Sequence, residues 1–261
     1  MSLPERSITL KVSNGRGILI VKAMQYILRG QMIYLLNQST GDVIQIYQGG
    51  VPSSSNNNRN SESVSGRTGV ALWNSGILLT RLLDELYQLD PSILSDRTVL
   101  ELGCGTAVAS IAALKLGAHR VIATDGNLEV VELAQANLKK NGVGVSKEEG
   151  NGEGGEADVL RWGILDAVEY YDTADIVMGS DLTYNSGTWG VLLAETMDAV
   201  LKPNGIAIYL SLGHSGFSVA GELGGFQTVI ESQGHLDVVS EGSENGLSGP
   251  YRRWKGCCRN R

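Results

Sequence analysis

Cysteine is scarce: three residues in a chain of 261, none at a spacing that would hold zinc. So few thiols in a chain this long point to a reducing compartment, the cytoplasm or also the nucleus. No run approaches the roughly 18 consecutive apolar residues of a membrane span, and the opening Met-Ser-Leu-Pro-Glu-Arg-Ser lacks the apolar core of a signal peptide. No membrane partner is expected. Basic charge is also short, with 21 Lys and Arg against 28 Asp and Glu, a net charge of −7. That balance disfavours a nucleic-acid backbone as the main partner, because phosphate binding needs a basic face. The one basic run, Tyr251-Arg-Arg-Trp-Lys255, reads as a solvated tail or as a closing strand. The three histidines, His119, His214 and His235, are too far apart to form a ligand set, and no metal is expected.

What is present suits an α/β domain with a sizeable core: 42% apolar and 19% charged residues. Residues 99–107 read Val-Leu-Glu-Leu-Gly-Cys-Gly-Thr-Ala, an apolar strand entering a glycine turn, with Glu101 two residues before Gly103. A second apolar run, Arg120-Val-Ile-Ala-Thr124, ends at Asp125. A βαβ unit builds a nucleoside pocket from this pairing. Gly103 and Gly105 allow a tight turn and close approach, and Asp125 at the next strand's carboxyl end can accept hydrogen bonds from ribose hydroxyls. A dinucleotide fingerprint would need glycine at position 108, where the chain has Val108, and a pyrophosphate would be repelled by Glu101. S-adenosylmethionine carries no phosphate; it carries a sulfonium and an ammonium group, which an acid attracts. The residues therefore favour S-adenosylmethionine over NAD.

Around this unit the pattern predicts strands alternating with helices. Residues 7–48 read as a small antiparallel N-terminal element: Ile8–Val12 with Ile18–Val21, then Met32–Leu36 with Val43–Tyr47. Residues 49–66, rich in Gly, Ser and Asn, form a flexible connection, so the chain divides into 1–66 and a domain over 67–261. Leu72, Ile77, Leu78, Leu82, Leu83 and Leu86 recur at helical spacing up to Leu89-Asp-Pro91. Strands follow at 98–102, 120–124, 157–160, 174–179, 206–212 and 236–239. Helices are expected at 106–116, 128–140, 192–201 and about 219–233, and Lys202-Pro-Asn-Gly205 reads as a turn. The Gly- and Glu-rich stretch 144–156 has nothing to bury and reads as a mobile loop whose removal over 146–155 should be tolerated. Such alternation implies a mostly parallel sheet covered on both faces, with Gly103, Asp125 and Asp181 all at its carboxyl end.

Asp181-Leu-Thr-Tyr184 follows the buried strand Asp175–Ser180. Methyl transfer to an amine is an in-line displacement, so a deprotonated nitrogen must be held in line with the sulfonium. Asp181 can orient such an amine, and Tyr184 can offer a hydroxyl or an aromatic wall. A bland alternative stays open: Asp181 caps the next helix and Tyr184 is core. Trp73 and Trp162 are likewise either packing residues or pocket walls.

Taken together, Gly69-Val-Ala-Leu-Trp73, Leu100-Glu-Leu-Gly-Cys-Gly-Thr106, Thr124-Asp-Gly-Asn127, Leu160-Arg-Trp-Gly163 and Ser180-Asp-Leu-Thr-Tyr184 resemble the class I protein methyltransferases of family 16, over about residues 65–240. The resemblance implies a Rossmann-like sheet of seven strands with the last antiparallel, helices on both faces, and S-adenosylmethionine as cofactor. It implies transfer to a lysine amine of a non-histone protein, such as a translation factor or chaperone, by a monomer. By the same resemblance the cofactor is held by Trp73, Glu101, Gly103, Cys104, Gly105, Thr106, Asp125, Gly126, Asn127, Trp162 and Ser180. Asp181 and Tyr184 border the substrate amine. Ala107 departs from the family's usual glycine, a change a small side chain at a helix start should tolerate. His214 is a minor substrate-site candidate; His119 and His235 read as surface or structural. Competing readings are a histidine or small-amine acceptor, a cofactor-binding protein without turnover, and an NAD-dependent oxidoreductase. A nucleic-acid amino-methyltransferase is disfavoured because Asp-Leu-Thr-Tyr replaces its Asn-Pro-Pro-Tyr or Asp-Pro-Pro-Tyr.

Overall fold

The structure, a computed structural model, describes residues 16–24, 32–36, 41, 43–49, 68–144, 153–183, 188–213, 236–241 and 252–253. Ten strands and four helices run in the order β1 (Arg16–Met24), β2 (Met32–Leu36), β3 (Val43–Tyr47), α1 (Asn74–Leu89), β4 (Thr98–Leu102), α2 (Val108–Lys115), β5 (Arg120–Asp125), α3 (Leu128–Lys140), β6 (Gly154–Val159), β7 (Ala174–Ser180), α4 (Thr188–Val200), β8 (Leu201–Gly213), β9 (Leu236–Glu241) and β10 (Arg252–Arg253). One sheet has the order β10-β9-β1-β8-β7-β4-β5-β6, and β2 and β3 form a separate antiparallel pair. Every pairing in the large sheet is parallel except β10 with β9.

The α/β, Rossmann-like expectation stands, with two corrections. Among the described residues the sheet has eight strands where seven are expected. The N-terminal stretch does not stand apart as an antiparallel element, because β1 lies in the large sheet, parallel to both β8 and β9. Gly17–Val21 of β1 pair with both neighbours at once, which a lone hairpin cannot offer. The Met32–Leu36 and Val43–Tyr47 hairpin is as expected. The segments at 8–12 and 219–233 lie outside the described residues.

Alternation along the central strands divides the core between the faces. Leu100, Leu102, Ile122 and Val177 pack under α4 through Leu193 and Met197. Val99, Val121, Ile176, Met178 and Ile208 pack under α1 and α2 through Leu79, Leu82, Leu86, Ala109 and Ala113. Strands covered on both faces read as continuous apolar runs, and that is how β4, β5 and β7 read. Helix α1 starts at Asn74, later than the apolar repeat suggests. Its close crossing of α2 depends on Gly76, where a Cβ would lie 2.9 Å from a Val108 methyl.

Two stretches expected to be loops carry more structure. Gly154–Glu156, assigned from composition to the mobile segment, opens β6 and pairs with Arg120–Ile122. Gly155 is buried where a Cβ would meet Leu114 and Leu138 at 2.6 and 2.8 Å, and Glu156 pairs with Arg120. Removal over 146–155 would therefore cut into an edge strand. Lys202–Gly205 is an excursion within β8: Ala174 faces Leu201, and pairing resumes at Ile176 with Ile206. There Lys202 Nζ donates to Asp175 at 3.0 Å and Thr98 N to the same carboxylate at 2.9 Å. These contacts tie the amino ends of β4, β7 and β8, away from the glycine turn.

The hairpin is latched to α3 by side-chain amides that act as a strand edge. Asn137, fully buried, accepts from Tyr47 N at 2.8 Å and donates to both Tyr47 O and Thr106 O at 3.0 Å. One helical turn on, Asn141 accepts from Gln45 N and donates to Gln45 O, each at 2.8 Å. Because i and i+4 share a helix face, the pair matches alternate residues of β3. Replacing Asn137 with Ala strands three backbone groups and is expected to lower stability by about 1–3 kcal/mol in urea unfolding. An unchanged midpoint would show that the latch carries no stability.

Candidate functional site

The carboxyl ends of β4, β5, β6 and β7 emerge together, as parallel strands require, and each leads into one of the sequence motifs. After β4 the chain turns through Gly103 (φ +59) and Gly105 (φ +53), a left-handed conformation that favours glycine. Cys104 N donates to Thr124 O at 2.8 Å, which ties the turn to β5. Ala107 is also left-handed (φ +59) and fully buried. A side chain is thus accommodated where the family usually has glycine, but in a backbone conformation that costs it roughly 1–2 kcal/mol. Helix α2 then starts at Val108, two residues later than its pattern implies.

Two carboxylates flank the turn. Glu101 is 3% exposed and accepts from Ser110 N at 3.0 Å and from the Ser110 hydroxyl. Burial pushes its pKa up to about 7, and the neighbouring Asp125 adds to the rise against the Ser110 hydrogen bonds. Asp125, at the tip of β5, accepts from Asn127 N at 3.1 Å and more distantly from Gly105 N at 3.4 Å. Its pKa is also raised, chiefly by burial. Burial and both carboxylates together push the Cys104 thiol well up, so Cys104 stays a neutral packing group here. The turn thus has two carboxylates beside it whose ionised forms are disfavoured by burial.

At the end of β7, Asp181 N still donates to Leu210 O at 2.7 Å, but its backbone has swung to φ +57. The next side chain, Leu182, folds back over the glycine turn. A Cβ on Gly103 would lie 2.4 Å from Leu182 Cδ2, and one on Gly179 would lie 2.8 Å from Cδ1. Leu182 thus packs against the face of Gly103 where a side chain would otherwise stand. Gly105 is similarly closed by the carbonyl of Gly69, 3.2 Å from where its Cβ would be. The described part of α4 begins at Thr188. Tyr184 lies outside the described residues, as do His214 and His235.

The remaining candidates take these places. Thr106 is buried, and its carbonyl is bound by Asn137. Gly126 is exposed beside Leu160 and Arg161, and Asn127 caps α3 by accepting from Glu129 N at 2.9 Å. Ser180 is the last residue of β7, paired with Leu210. Trp73 is the residue before α1 and donates its indole N–H to Thr68 O at 2.7 Å. Trp162 follows β6 and meets Trp189 edge-on, ring centres 5.7 Å apart. His119 is at the surface, its Nδ1 4.0 Å from Glu153. Composition and motif spacing had singled out neither Asn137 nor Tyr209, which support the site from distant parts of the chain, nor Ser110 in the helix that follows the turn.

A family model for lysine methyltransferases matches residues 55–215, which takes in the glycine turn, Asp125, Trp162 and Asp181. The chain belongs to the lysine methyltransferase family. Within curated relatives, it is similar to the protein-lysine N-methyltransferase EFM3 of Chaetomium thermophilum, 33% identical over 156 residues, covering 57% of this chain and 44% of that one. It is similar also to the protein N-terminal and lysine N-methyltransferase EFM7 of Candida glabrata, 32% identical over 172 residues and 62% of each. The chain thus spans less than two thirds of either relative's length. The fold resembles that of a SAM-dependent methyltransferase from Agrobacterium tumefaciens, with a TM-score of 0.50 and 16% identity, over 87% of this chain and 68% of that one.

Proposed function

We propose that the protein is an S-adenosylmethionine-dependent methyltransferase acting on a lysine side-chain amine of a protein substrate. The observation that carries this is the acidic glycine turn: Glu101, buried, and Asp125, partly buried, both raised in pKa, beside a bend with Gly103 and Gly105 left-handed, where a pyrophosphate's charge would be repelled. A ligand with cationic groups suits such carboxylates, and S-adenosylmethionine brings a sulfonium and an ammonium together. When bound, it supplies an electrophilic methyl group.

The chain's own residues divide the remaining work. Asp125 holds the ribose; Glu101 favours the ammonium; the backbone from Gly103 to Thr106 shapes the methionine end. Gly126, Asn127, Trp73, Trp162 and Ser180 border the nucleoside. Asp181 accepts from the incoming amine and aligns its lone pair, and Tyr184 walls the acceptor. Support for lysine as acceptor comes from the family and from the names of the two relatives. One relative is also named for N-terminal transfer, so the test must separate ε- from α-amines. The reading places the protein in the cytoplasm or nucleus, as a monomer, with a translation factor or chaperone as its partner.

The decisive experiment is labelling of a cell lysate with tritiated S-adenosylmethionine, followed by mass spectrometry of the labelled band. A methylated lysine side chain is the expected result; label only on histidine, a small molecule or an α-amine would refute it. Calorimetry supplies a second check. Asp125→Ala is expected to weaken S-adenosylmethionine binding by about 1–3 kcal/mol, roughly 5- to 150-fold, through lost hydrogen bonds to the ribose. Unchanged affinity would remove Asp125 from the pocket.

A further inference from the structure

We propose that Tyr209 is a positioning residue for methyl transfer, its buried hydroxyl fixing the backbone that presents Asp181. The proposal rests on the role given to Asp181 above. It starts from where β7 leaves the sheet. Up to Ser180 the strand follows β8 in register, Gly179 opposite Tyr209 and Ser180 opposite Leu210. Asp181 N makes one more bond to β8, and then the φ of +57 carries the chain away from the ladder. The next two amides have lost their strand partner in a place closed to water, Leu182 being 8% and Thr183 3% exposed.

Both amides converge on one oxygen. Leu182 N donates to the Tyr209 hydroxyl at 2.8 Å and Thr183 N at 3.1 Å, while that hydroxyl donates to Thr183 Oγ1 at 3.2 Å. A phenol with two acceptor sites and one proton is then fully used. Tyr209 has no exposed surface, and its hydroxyl proton is held more tightly than usual, first because of burial. A residue needed only for packing at this position would do as well without the oxygen. Asp181 is the residue between the last ladder bond, its own N–H to Leu210 O, and the first amide held by the phenol, Leu182 N. Leu182, gripped from behind by the same hydroxyl, packs over Gly103. The oxygen of Tyr209 thus sets the spacing between the glycine turn and the Asp181 tip.

Tyr209→Phe removes that oxygen alone. With tritiated S-adenosylmethionine as donor and lysate protein as acceptor, the limiting rate is expected to fall about tenfold or more, since small misplacements of an aligning group slow transfer by one to two orders of magnitude. The KM for S-adenosylmethionine and its calorimetric Kd should stay within about threefold, because the group acts on alignment and not on cofactor binding. Amide hydrogen exchange in the peptide holding Leu182 and Thr183 should accelerate roughly tenfold or more as the turn opens more often. Ile208→Val, a methylene deletion next door on β8, controls for general loosening and should keep the rate within about twofold. A full rate in Tyr209→Phe, or an equal loss in Ile208→Val, would overturn the proposal. Should Tyr209→Phe fail to fold, Thr183→Val takes away only the acceptor of the phenolic proton. It is then expected to slow transfer about threefold with KM unmoved, and no slowing overturns the idea. A wild-type protein that binds the cofactor yet labels no protein sinks the proposed function and this role together. Labelling by wild type with an unimpaired Tyr209→Phe sinks this role alone.

Discussion

Asp181→Asn is expected to reduce methyl transfer by roughly 10²-fold or more while S-adenosylmethionine affinity stays within about threefold. The choice of asparagine follows from the backbone. Asp181 sits at φ +57, a conformation that Asn tolerates better than other side chains with a Cβ, whereas alanine would add strain to the loss of charge. Asparagine keeps the volume and the local hydrogen-bonding shape, so the tip held by Leu210 and Tyr209 is preserved. What disappears is the carboxylate that attracts an incoming ammonium and then orients the neutral amine toward the sulfonium carbon. The measurement is the limiting rate with labelled donor, beside calorimetric cofactor affinity. A fully active Asp181→Asn protein would show that the acceptor amine is aligned by other groups.

Glu101→Gln should change how stability depends on pH. In the folded protein the Glu101 pKa is near 7, against an ordinary value of 4.5. Below pH 4.5 the carboxyl is protonated in both folded and unfolded chains, and its favourable contribution is complete. Between 4.5 and 7 the unfolded chain gives up the proton while the folded one keeps it, so stability falls as pH rises; above about 7 the loss is complete. Two and a half pKa units correspond to about 3 kcal/mol in total. Glutamine has no proton to lose and can still accept from Ser110. The variant should therefore gain on the wild type by up to about 3 kcal/mol between pH 5 and 8 in urea unfolding. Comparing the two proteins cancels the similar slope from Asp125, whose carboxyl is also raised. The same ionisation bears on the ligand. A cation favours the charged carboxylate, so S-adenosylmethionine should bind more tightly to wild type as pH rises through 7, and Glu101→Gln should flatten that trend. Parallel stability curves for the two proteins would rule out Glu101 as the titrating group.

Much of the fold was legible because it is written locally. Short apolar runs locate β4, β5 and β7, the first two ending at Gly103 and Gly126, and Asn127 and Asn141-Gly142 bracket α3 correctly. Strand β1 was misplaced since an apolar strand does not say which neighbour it will choose; alternation reports burial, not partners. Gly154–Glu156 was misread for a related reason. Glycine and glutamate suggest solvent, yet Gly155 is required by the leucines of two helices that close on it, and Glu156 by Arg120.

For the site, sequence alone determined the elements whose chemistry is local: the strand-turn-helix through Gly103 and Gly105, the acid at Asp125 closing the next strand, and Asp181 at the end of a buried one. Backbone handedness and strand polarity are properties of adjacent residues, so they survive without knowledge of the rest. Only the tertiary structure decided what surrounds them. It put Leu182 into the space over Gly103, Ser110 on Glu101, Asn137 between Thr106 and β3, and the Tyr209 hydroxyl under two stranded amides. Most of those join residues far apart in the chain through a few polar or apolar contacts. Such contacts have no period and no spacing, and they exist only once the sheet has brought its strands together.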